Sequence, residues 1–378
     1  MDYASLYPNI ILSDNLCYTT KRQGPGPGIK ELGNGTFWDQ TKKGLLPSIV
    51  EEMLALRKEF KQKMKDAKTS EERLGYDMLQ TAAKVAVNAL YGMCGMKSVQ
   101  GMWVENDIAA SITFRGREAI RHLLTESEEQ GYHSLYGHTD SAFIQVPFDE
   151  AEALADHLTK TAKDMLDLPY MDVELEAYFD YWTTAPVKNR YFGYKVWPES
   201  DKGQLKVTGY AMKASSTAKI TKEIQETAMR LIGHGAEEEE VSSTLRELAL
   251  KVKSGEIPIN DVVLSTRLTK EPDAYDSGAK AAMYYNEHLD GEKWRQGDSV
   301  TWTYVSDAGA LPDYVTINGE RQRVQFMAFR DIDELGGAII DWEKILDVLV
   351  KSKLKRLYES VGWDIATAAG DVVPRVYW

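Results

Sequence analysis

Ser134–Val146 reads SLYGHTDSAFIQV, with aromatic and β-branched residues on either side of a polar centre. That pattern predicts two short strands around a tight turn, a β-hairpin. On either side the period changes: Ile108–Glu126 and Glu150–Leu166 are helical, and Val187–Trp197 (VKNRYFGYKVW) reads as strand. From Met96 to about Gly209 helical and strand patterns alternate, which predicts an α+β layer domain.

Before this domain, Gly24–Gly28 (GPGPG) suits neither helix nor strand and reads as a loop tip. Two helices are expected at Pro47–Lys68 and Glu71–Tyr91. Pro47 suits a first-turn position, and Thr69-Ser70 before Glu71-Glu72 is a stop and restart with N-cap chemistry. Together they predict a helical hairpin. After Gly209, Ile220, Ile224, Ala228 and Leu231 form one amphipathic stripe ending at Gly233. Val241, Leu245, Leu248 and Val252 form another ending at Gly255. Glu237–Glu240 reads as a solvated helix start at a favourable dipole end. A separate, mainly helical C-terminal domain is expected, with an irregular insert at Asp273–Asp331 and a last long helix over Trp342–Ser360.

The 378 residues suffice for two or three folded units. Hydrophobic content of 43% and charged content of 27% are ordinary for a globular protein. No apolar run approaches the ~20 residues that span a bilayer, so no membrane association is expected. The start, MDYASLYPNIILSDN, has no basic leader of the signal-peptide kind. Cys17 and Cys94 cannot by themselves make a disulfide framework or a four-ligand zinc site. A reducing cytoplasmic setting is expected, in a cell or, for a viral protein, in its host. The net charge of −13 runs against a simple nucleic-acid binder. Locally the balance reverses: Ala55–Lys68 (ALRKEFKQKMKDAK) holds six basic and two acidic residues. An acidic protein can still present a basic binding face.

Two aspartates stand beside turn chemistry and aromatic neighbours: Asp2 in DYASLYP and Asp140 in YGHTDS. Taken singly, each reads as a turn residue. As a pair they have the chemistry of phosphoryl transfer, in which two divalent ions about 3.5–4 Å apart hold the attacking and leaving oxygens. Mg²⁺ prefers oxygen ligands and keeps several waters, so one or two carboxylates plus substrate phosphates suffice.

Four segments, in order, resemble the motifs of family B DNA polymerases. Asp2-Tyr3-Ala4-Ser5-Leu6-Tyr7-Pro8-Asn9-Ile10 is similar to motif A, whose form is Asp-x-x-Ser-Leu-Tyr-Pro-Ser-Ile. Lys84-Val85-Ala86-Val87-Asn88-Ala89-Leu90-Tyr91-Gly92 is similar to motif B, and Tyr136-Gly137-His138-Thr139-Asp140-Ser141 to motif C. Lys188-Asn189-Arg190-Tyr191 is similar to the Lys-Lys-Arg-Tyr element that follows. The likeness is strong to about residue 195 and weaker beyond, where Gly255-Glu256-Ile257-Pro258 and Gln296-Gly297-Asp298 resemble parts of the thumb.

The resemblance implies an α+β right-hand polymerase fold. Its palm, an antiparallel sheet with helices, would take residues 1–40 and 96–208. Helical-hairpin fingers would take 41–95 and a mainly helical thumb 209–378. It implies template-directed DNA polymerisation, with primer–template DNA and dNTPs as partners and two Mg²⁺ ions, or Mn²⁺, as cofactors. Asp2 and Asp140 match the metal-binding aspartates. Tyr7 matches the residue under the incoming sugar, where a rigid ring leaves no space for a 2′-hydroxyl. Core packing beside Leu6 is the other reading of Tyr7. Backbone N–H groups of Ser5, Leu6 and Tyr7 would face the triphosphate as a nest-type anion site.

In the helical hairpin, Arg57 and Lys61 are four apart, and Lys84, Asn88 and Tyr91 fall at i, i+4 and i+7, so each set shares a face. The resemblance makes Arg57, Lys61 and Lys84 triphosphate contacts and Asn88 a supporting one. Asn88 sits among Val, Ala and Leu, where a buried amide needs partners. Tyr91-Gly92 is implied near the nascent base pair, and His138 with Lys188, Asn189, Arg190 and Tyr191 along the DNA. Asp172 and Glu174 (MDVELE) read either as ancillary acids near the metals or as surface strand carboxylates. Arg115 and Arg117, on a helix, read either as phosphate contacts or as structural residues, and the structural reading is preferred.

Two departures from the pattern stand out. Motif C usually carries Asp where His138 stands, and the second lysine of Lys-Lys-Arg-Tyr is Asn189. An acid and a base have gone together, which reads as one coupled change near the primer end. No exonuclease motifs precede motif A, so polymerisation without proofreading is expected of this chain. Because the strand before Asp2 is missing, a fraying Asp2 and an open hairpin edge are expected. A second polypeptide supplying the N-terminal, exonuclease-like part and a palm strand would repair both. A sliding clamp is a further possible partner. Two other functions fit the same residues: a non-catalytic DNA-binding scaffold descended from a polymerase, and a template-independent nucleotidyl transferase.

Overall fold

The structure is a computed structural model, described over residues 1–96, 104–185, 187–213, 216–275, 278–317 and 320–363. It divides into two compact units, Met1–Tyr178 and Phe179–Trp378.

The first unit opens with β1 (Asp2–Tyr3) and α1 (Leu6–Ser13), then a three-stranded sheet of β2 (Lys21–Arg22), β3 (Ile29–Glu31) and β4 (Phe37–Asp39) with β4 central. Gly24–Gly28 lies in the connection between β2 and β3, as expected of its composition. The helical hairpin follows as α2 (Leu45–Asp66) and α3 (Ser70–Cys94). Its turn is set by a capping box. The Thr69 hydroxyl accepts from the Glu72 N–H, and the Glu72 carboxylate accepts from the Thr69 N–H. Two otherwise orphaned donors are thereby satisfied where the chain reverses. Only Leu46, Pro47, Val50, Val87 and Cys94 are buried in these two helices, all toward the open end of the hairpin. Much of the remainder, including Leu74, Met78 and Val85, is exposed, while Leu54, Leu90 and Tyr91 are half-buried against the core.

Next come α4 (Asn106–Glu129), the hairpin of β5 (His133–Gly137) and β6 (Ala142–Gln145), α5 (Phe148–Met165) and β7 (Val173–Glu174). The first core gathers Ile10 and Ile11 of α1, Trp38, Val50, Ile108, Ile112 and Leu123 of α4, and Leu158 of α5. Each fully buried aliphatic side chain contributes about 1.5–3 kcal/mol. β1 ties these parts together. It pairs antiparallel with β7, Asp2 opposite Glu174 and Tyr3 opposite Val173, and meets the hairpin through an antiparallel bridge from Asp2 to Ser141.

In the second unit, β8 (Tyr178–Thr184), β9 (Tyr191–Trp197) and β10 (Leu205–Thr208) form a meander. Two corrections arise here. β8 was not expected, because YFDYWTT carries no alternation and most of its side chains are half-buried. The strand expected from Val187 begins only at Tyr191, since Asn189 is left-handed (φ 61°) in the connecting turn. Phe192, Val207 and Tyr210 share one core with α6 (Lys219–Gly233) and α7 (Glu238–Lys253), so the strands belong with the helices that follow them.

After α8 (Ile259–Val262), the segment expected to be irregular is largely a sheet. β11 (Leu264–Arg267), α9 (Ala281–His288), β12 (Ser299–Asp307), the separate ribbon of β13 (Tyr314–Ile317) and β14 (Glu320–Arg323), β15 (Phe326–Ala328) and β16 (Ile339–Ile340) follow in order. β12 pairs with β11, β15 and β16. Val300, Trp302 and Val305 are buried there among Leu268, Ala282, Tyr285, Met327 and Ala328. The last helix runs as α10 (Trp342–Ile345), a π-helical stretch over Leu346–Lys351, and α11 (Ser352–Ser360). Among the described residues, no helix is long and apolar enough to cross a membrane.

Candidate active site

Asp2 is not at a loose end. Its strand is pinned on both sides: the Tyr3 N–H donates to the Asp140 carbonyl at 2.8 Å and the Ala4 N–H to the Asp172 carbonyl at 2.9 Å. The Ala142 N–H donates to the Met1 carbonyl at 2.9 Å. The buried Tyr3 hydroxyl donates to the Ala119 carbonyl of α4 at 3.0 Å. Backbone hydrogen bonds therefore hold β1 and its Asp2 against the β5–β6 turn that carries Asp140, which corrects the expectation of a fraying terminus.

Residues directly opposite in an antiparallel pair point to the same face, so Glu174 joins Asp2. The Asp2 carboxyl is pushed up to about 7, first by burial and then by the charges of Asp140, Glu176 and Glu174. Glu176 was missed in the sequence, although its signal is there. In MDVELE the acids fall at i, i+2 and i+4, one face of a strand. Asp172 is drawn away instead, its carboxylate 2.7 Å from Lys163. Of the two acids expected as ancillary, Glu174 lies opposite Asp2 and Asp172 is ion-paired with Lys163.

The Met1 ammonium opposes the rise at Asp2, and burial and the neighbouring acids together outweigh it. Among the described residues, no group of three or more His, Cys, Asp or Glu side chains is placed to hold a metal ion. A hard ion such as Mg²⁺ needs only one or two carboxylates when water and phosphate complete its shell, and Asp2 and Asp140 are carboxylates of that kind.

Opposite charge is close by. Arg57 on α2 donates from Nη1 to the Ser5 hydroxyl at 3.1 Å, and its buried Nε–H has no protein partner among the described residues. The Lys61 ammonium has its pKa lowered, first by burial and then by the charges of Arg57, Lys84 and Lys65, with Glu174 opposing. The structure therefore brings Arg57, Lys61 and Lys84 together from two helices, alongside an acid of the Asp2 cluster. Ser5 precedes α1 in the left-handed region (φ 56°, ψ 51°), a conformation that costs a non-glycine residue about 1–3 kcal/mol. It turns the chain so that the first amides of α1, those of Leu6 and Tyr7, have no intrahelical acceptor, an anion-binding arrangement.

Tyr7 lies between these groups. Its ring stands 4.5 Å from that of Tyr91, and a Cβ at Gly116 of α4 would come within 3.1 Å of it. Burial raises its hydroxyl pKa, helped by Tyr91 and Asp140 and opposed by Arg117. Tyr7 is half-buried, packed on α3 and α4, with Leu6 buried in the core beside it. Asn88 is exposed, so the argument from a buried amide does not apply to it. Gly92 is exposed as well.

His138 closes the hairpin turn, donating its N–H to the Ser141 carbonyl at 2.7 Å, with Nδ1 at 3.9 Å from Asp140. Arg115 proves structural, as expected: it is buried against Asp14 at 2.8 Å and also donates to Glu118 and to the Leu166 carbonyl. Lys188, Asn189, Arg190 and Tyr191 belong to the second unit. Lys188 and Asn189 are exposed in the β8–β9 turn. Arg190 donates to the Gly209 carbonyl, and Tyr191 is buried against Trp182. Asparagine tolerates the left-handed region better than lysine, so Asn189 has a local backbone reason to be there.

Asp2 and its neighbouring acids, with the cations of α2 and α3 and the Tyr7–Tyr91 pair, have the chemistry of phosphate-ester binding. The profile of DNA polymerase family B matches residues 1–332, and the chain belongs to that family. It is similar to DNA polymerase 1 of Aeropyrum pernix (29% identity, 75% of this chain, 30% of the relative). It is also similar to the DNA polymerases of Thermococcus gorgonarius (27%, 83% and 40%) and Archaeoglobus fulgidus (24%, 98% and 46%). Among solved structures, the family B DNA polymerase of Pyrobaculum calidifontis superposes with a TM-score of 0.63 at 21% identity, over 94% of this chain and 44% of that one. The chain spans less than half the length of each of these relatives.

Proposed function

We propose that this chain is the catalytic part of a template-directed DNA polymerase, adding deoxynucleotides to a primer 3′ end. Residues 1–40 and 96–208 serve as palm, 41–95 as fingers and 209–378 as thumb. The observation that supports the reading is the pinning of Asp2 of β1 against the β5–β6 turn that carries Asp140, with the Asp2 carboxyl raised first by burial and then by the neighbouring acids.

Asp2 and Asp140 would hold the divalent ions, which when bound supply neutralisation of the charge that develops on the transferred phosphoryl group. Arg57, Lys61 and Lys84, with the free amides of Leu6 and Tyr7, bind and orient the triphosphate tail. Positioning of this kind is the protein's main task in phosphoryl transfer. The Tyr7 ring, braced by Tyr91 and Gly116, supports the sugar and excludes a 2′-hydroxyl by bulk.

The test is primer extension by Asp140→Asn. The variant keeps its fold and its affinity for primer–template, while extension falls by roughly a thousandfold or more, the scale of losing a charge-stabilising group. Near-normal extension by the folded variant overturns the assignment.

A further inference from the structure

The helical hairpin joins the rest of its unit through two stems, the start of α2 and the end of α3. One short segment just after α1, Asn15–Lys21 (NLCYTTK), touches both. None of its residues lies among those assigned to phosphate or metal.

The first stem is held firmly. The N-cap of α2 is Gly44, which has no side chain to offer, and the segment supplies the missing acceptors. The Asn15 side-chain oxygen accepts from the Gly44 N–H at 2.9 Å, and the Cys17 sulfur from the Leu46 N–H at 3.2 Å. Two otherwise orphaned amides of α2 are thereby satisfied from outside the helix. Asn15 also donates to the Asp39 and Lys42 carbonyls, at 2.6 and 2.8 Å. The approach is close enough to require glycine, since a Cβ at Gly44 would come within 2.5 Å of the Cys17 Cβ.

The second stem is held more lightly. Cys94, the last residue of α3, is buried with its sulfur 3.4 Å from the Tyr18 hydroxyl. Its carbonyl accepts from the N–H of Glu105, the N-cap of α4, at 3.0 Å, and the Glu105 carboxylate lies 3.0 Å from the Lys21 ammonium. Burial raises the pKa of the Tyr18 hydroxyl and of the Cys94 thiol, so the contact joins two neutral groups. Packing alone gives no reason for a polar pair there, because an apolar pair of the same shape would bury as well.

We propose that Tyr18 and Cys94 are positioning residues for the incoming deoxynucleotide, their contact fixing the angle at which α3 leaves the palm. The inference rests on the polymerase reading and adds to it a pair that touches neither substrate nor metal. α3 carries Lys84 and Tyr91 on the turns before Cys94. Lys84 lies ten residues before Cys94, about 15 Å along the helix. A tilt of about 5° at this stem moves Lys84 by roughly 1 Å, a misplacement large enough to slow phosphoryl transfer. The α2 stem, with its cap and its close-packed glycine, leaves no such freedom to Arg57 and Lys61.

The experiment is primer extension by the full chain for wild type, Tyr18→Phe, Cys94→Ala and the double variant, with thermal unfolding and primer–template affinity measured on each. Loss of one hydrogen bond corresponds to about two- to tenfold, and a rise of that size is expected in the Michaelis constant for dNTP in each single variant. The double variant rises no further than the worse single one, because the same contact is lost in all three. Affinity for the duplex stays within twofold. An unchanged Michaelis constant in folded Tyr18→Phe overturns the inference and leaves the polymerase reading standing. So do rises that multiply in the double variant, or a fall in unfolding temperature with dNTP use unaltered, which would make the pair structural alone. Wild type that extends no primer overturns both.

Discussion

Two aspartates flank helix α1, and their surroundings could hardly differ more. Asp14, just past its C-terminal end, is wholly buried, yet Arg115 lies 2.8 Å from one oxygen and the Lys30 ammonium 2.7 Å from the other, the latter as an ion pair rather than an aligned hydrogen bond. Asp2, just before its N-terminal end, is less buried and faces Asp140, Glu174 and Glu176. Charge at the first place is compensated within the protein. At the second the acids outnumber the one cation acting on Asp2, the Met1 ammonium, in a chain that has further cations at Arg57, Lys61 and Lys84. Buried charge of itself therefore does not mark function here; buried charge in excess of its partners does.

The contrast can be broken from either side. The largest effect on stability is expected at Arg115. Removing it by Arg115→Ala strands a buried carboxylate, and urea denaturation should show a loss of about 3–5 kcal/mol. A loss below about 1 kcal/mol would mean that Asp14 is solvated or protonated, and the comparison would fail. Lys30→Ala removes the more exposed of the two partners, and a loss of about 1–2 kcal/mol is expected, since Arg115 remains.

Asp2 should behave in the opposite sense. Its folded pKa, about 7, lies above the ordinary value of 3.8. Its protonation therefore favours the folded state: that contribution is complete below about pH 4 and is lost as pH rises through 7. In chelator, Asp2→Asn should be more stable than wild type at pH 8 by about 1 kcal/mol, after allowance for partial solvent screening, with the gain vanishing near pH 4. A variant less stable than wild type at pH 8 would show that Asp2 is compensated after all.

Much of the first unit was legible because its signals are local. The capping box at Thr69 and Glu72 lies within four residues, and the hairpin around Asp140 within thirteen. Glu176 was legible in principle, from strand alternation with Glu174, and was passed over. The pairing of Asp14 with Arg115 was not, because it joins residues 101 apart in sequence and depends on α1 packing against α4. In the second unit, SVTWTYVSD of β12 buries Val300, Trp302 and Val305 at nearly strict alternation. The turn-forming residues around it made the whole stretch look irregular. β8 gave no periodic signal at all. Asn88 misled for a different reason: apolar neighbours in sequence suggested burial, but its helix is solvated over most of its length.

The account turns on leftover negative charge being a seat for divalent cations, and thermal unfolding of the intact chain measures that directly. Wild type and the double variant Asp2→Asn/Asp140→Asn are compared in chelator and in Mg²⁺, so that any ion bound to the folded state alone raises the unfolding temperature by mass action. The expected result is a rise of about 2 °C or more for wild type and none for the variant. An equal rise in both would place the cations elsewhere and contradict the account.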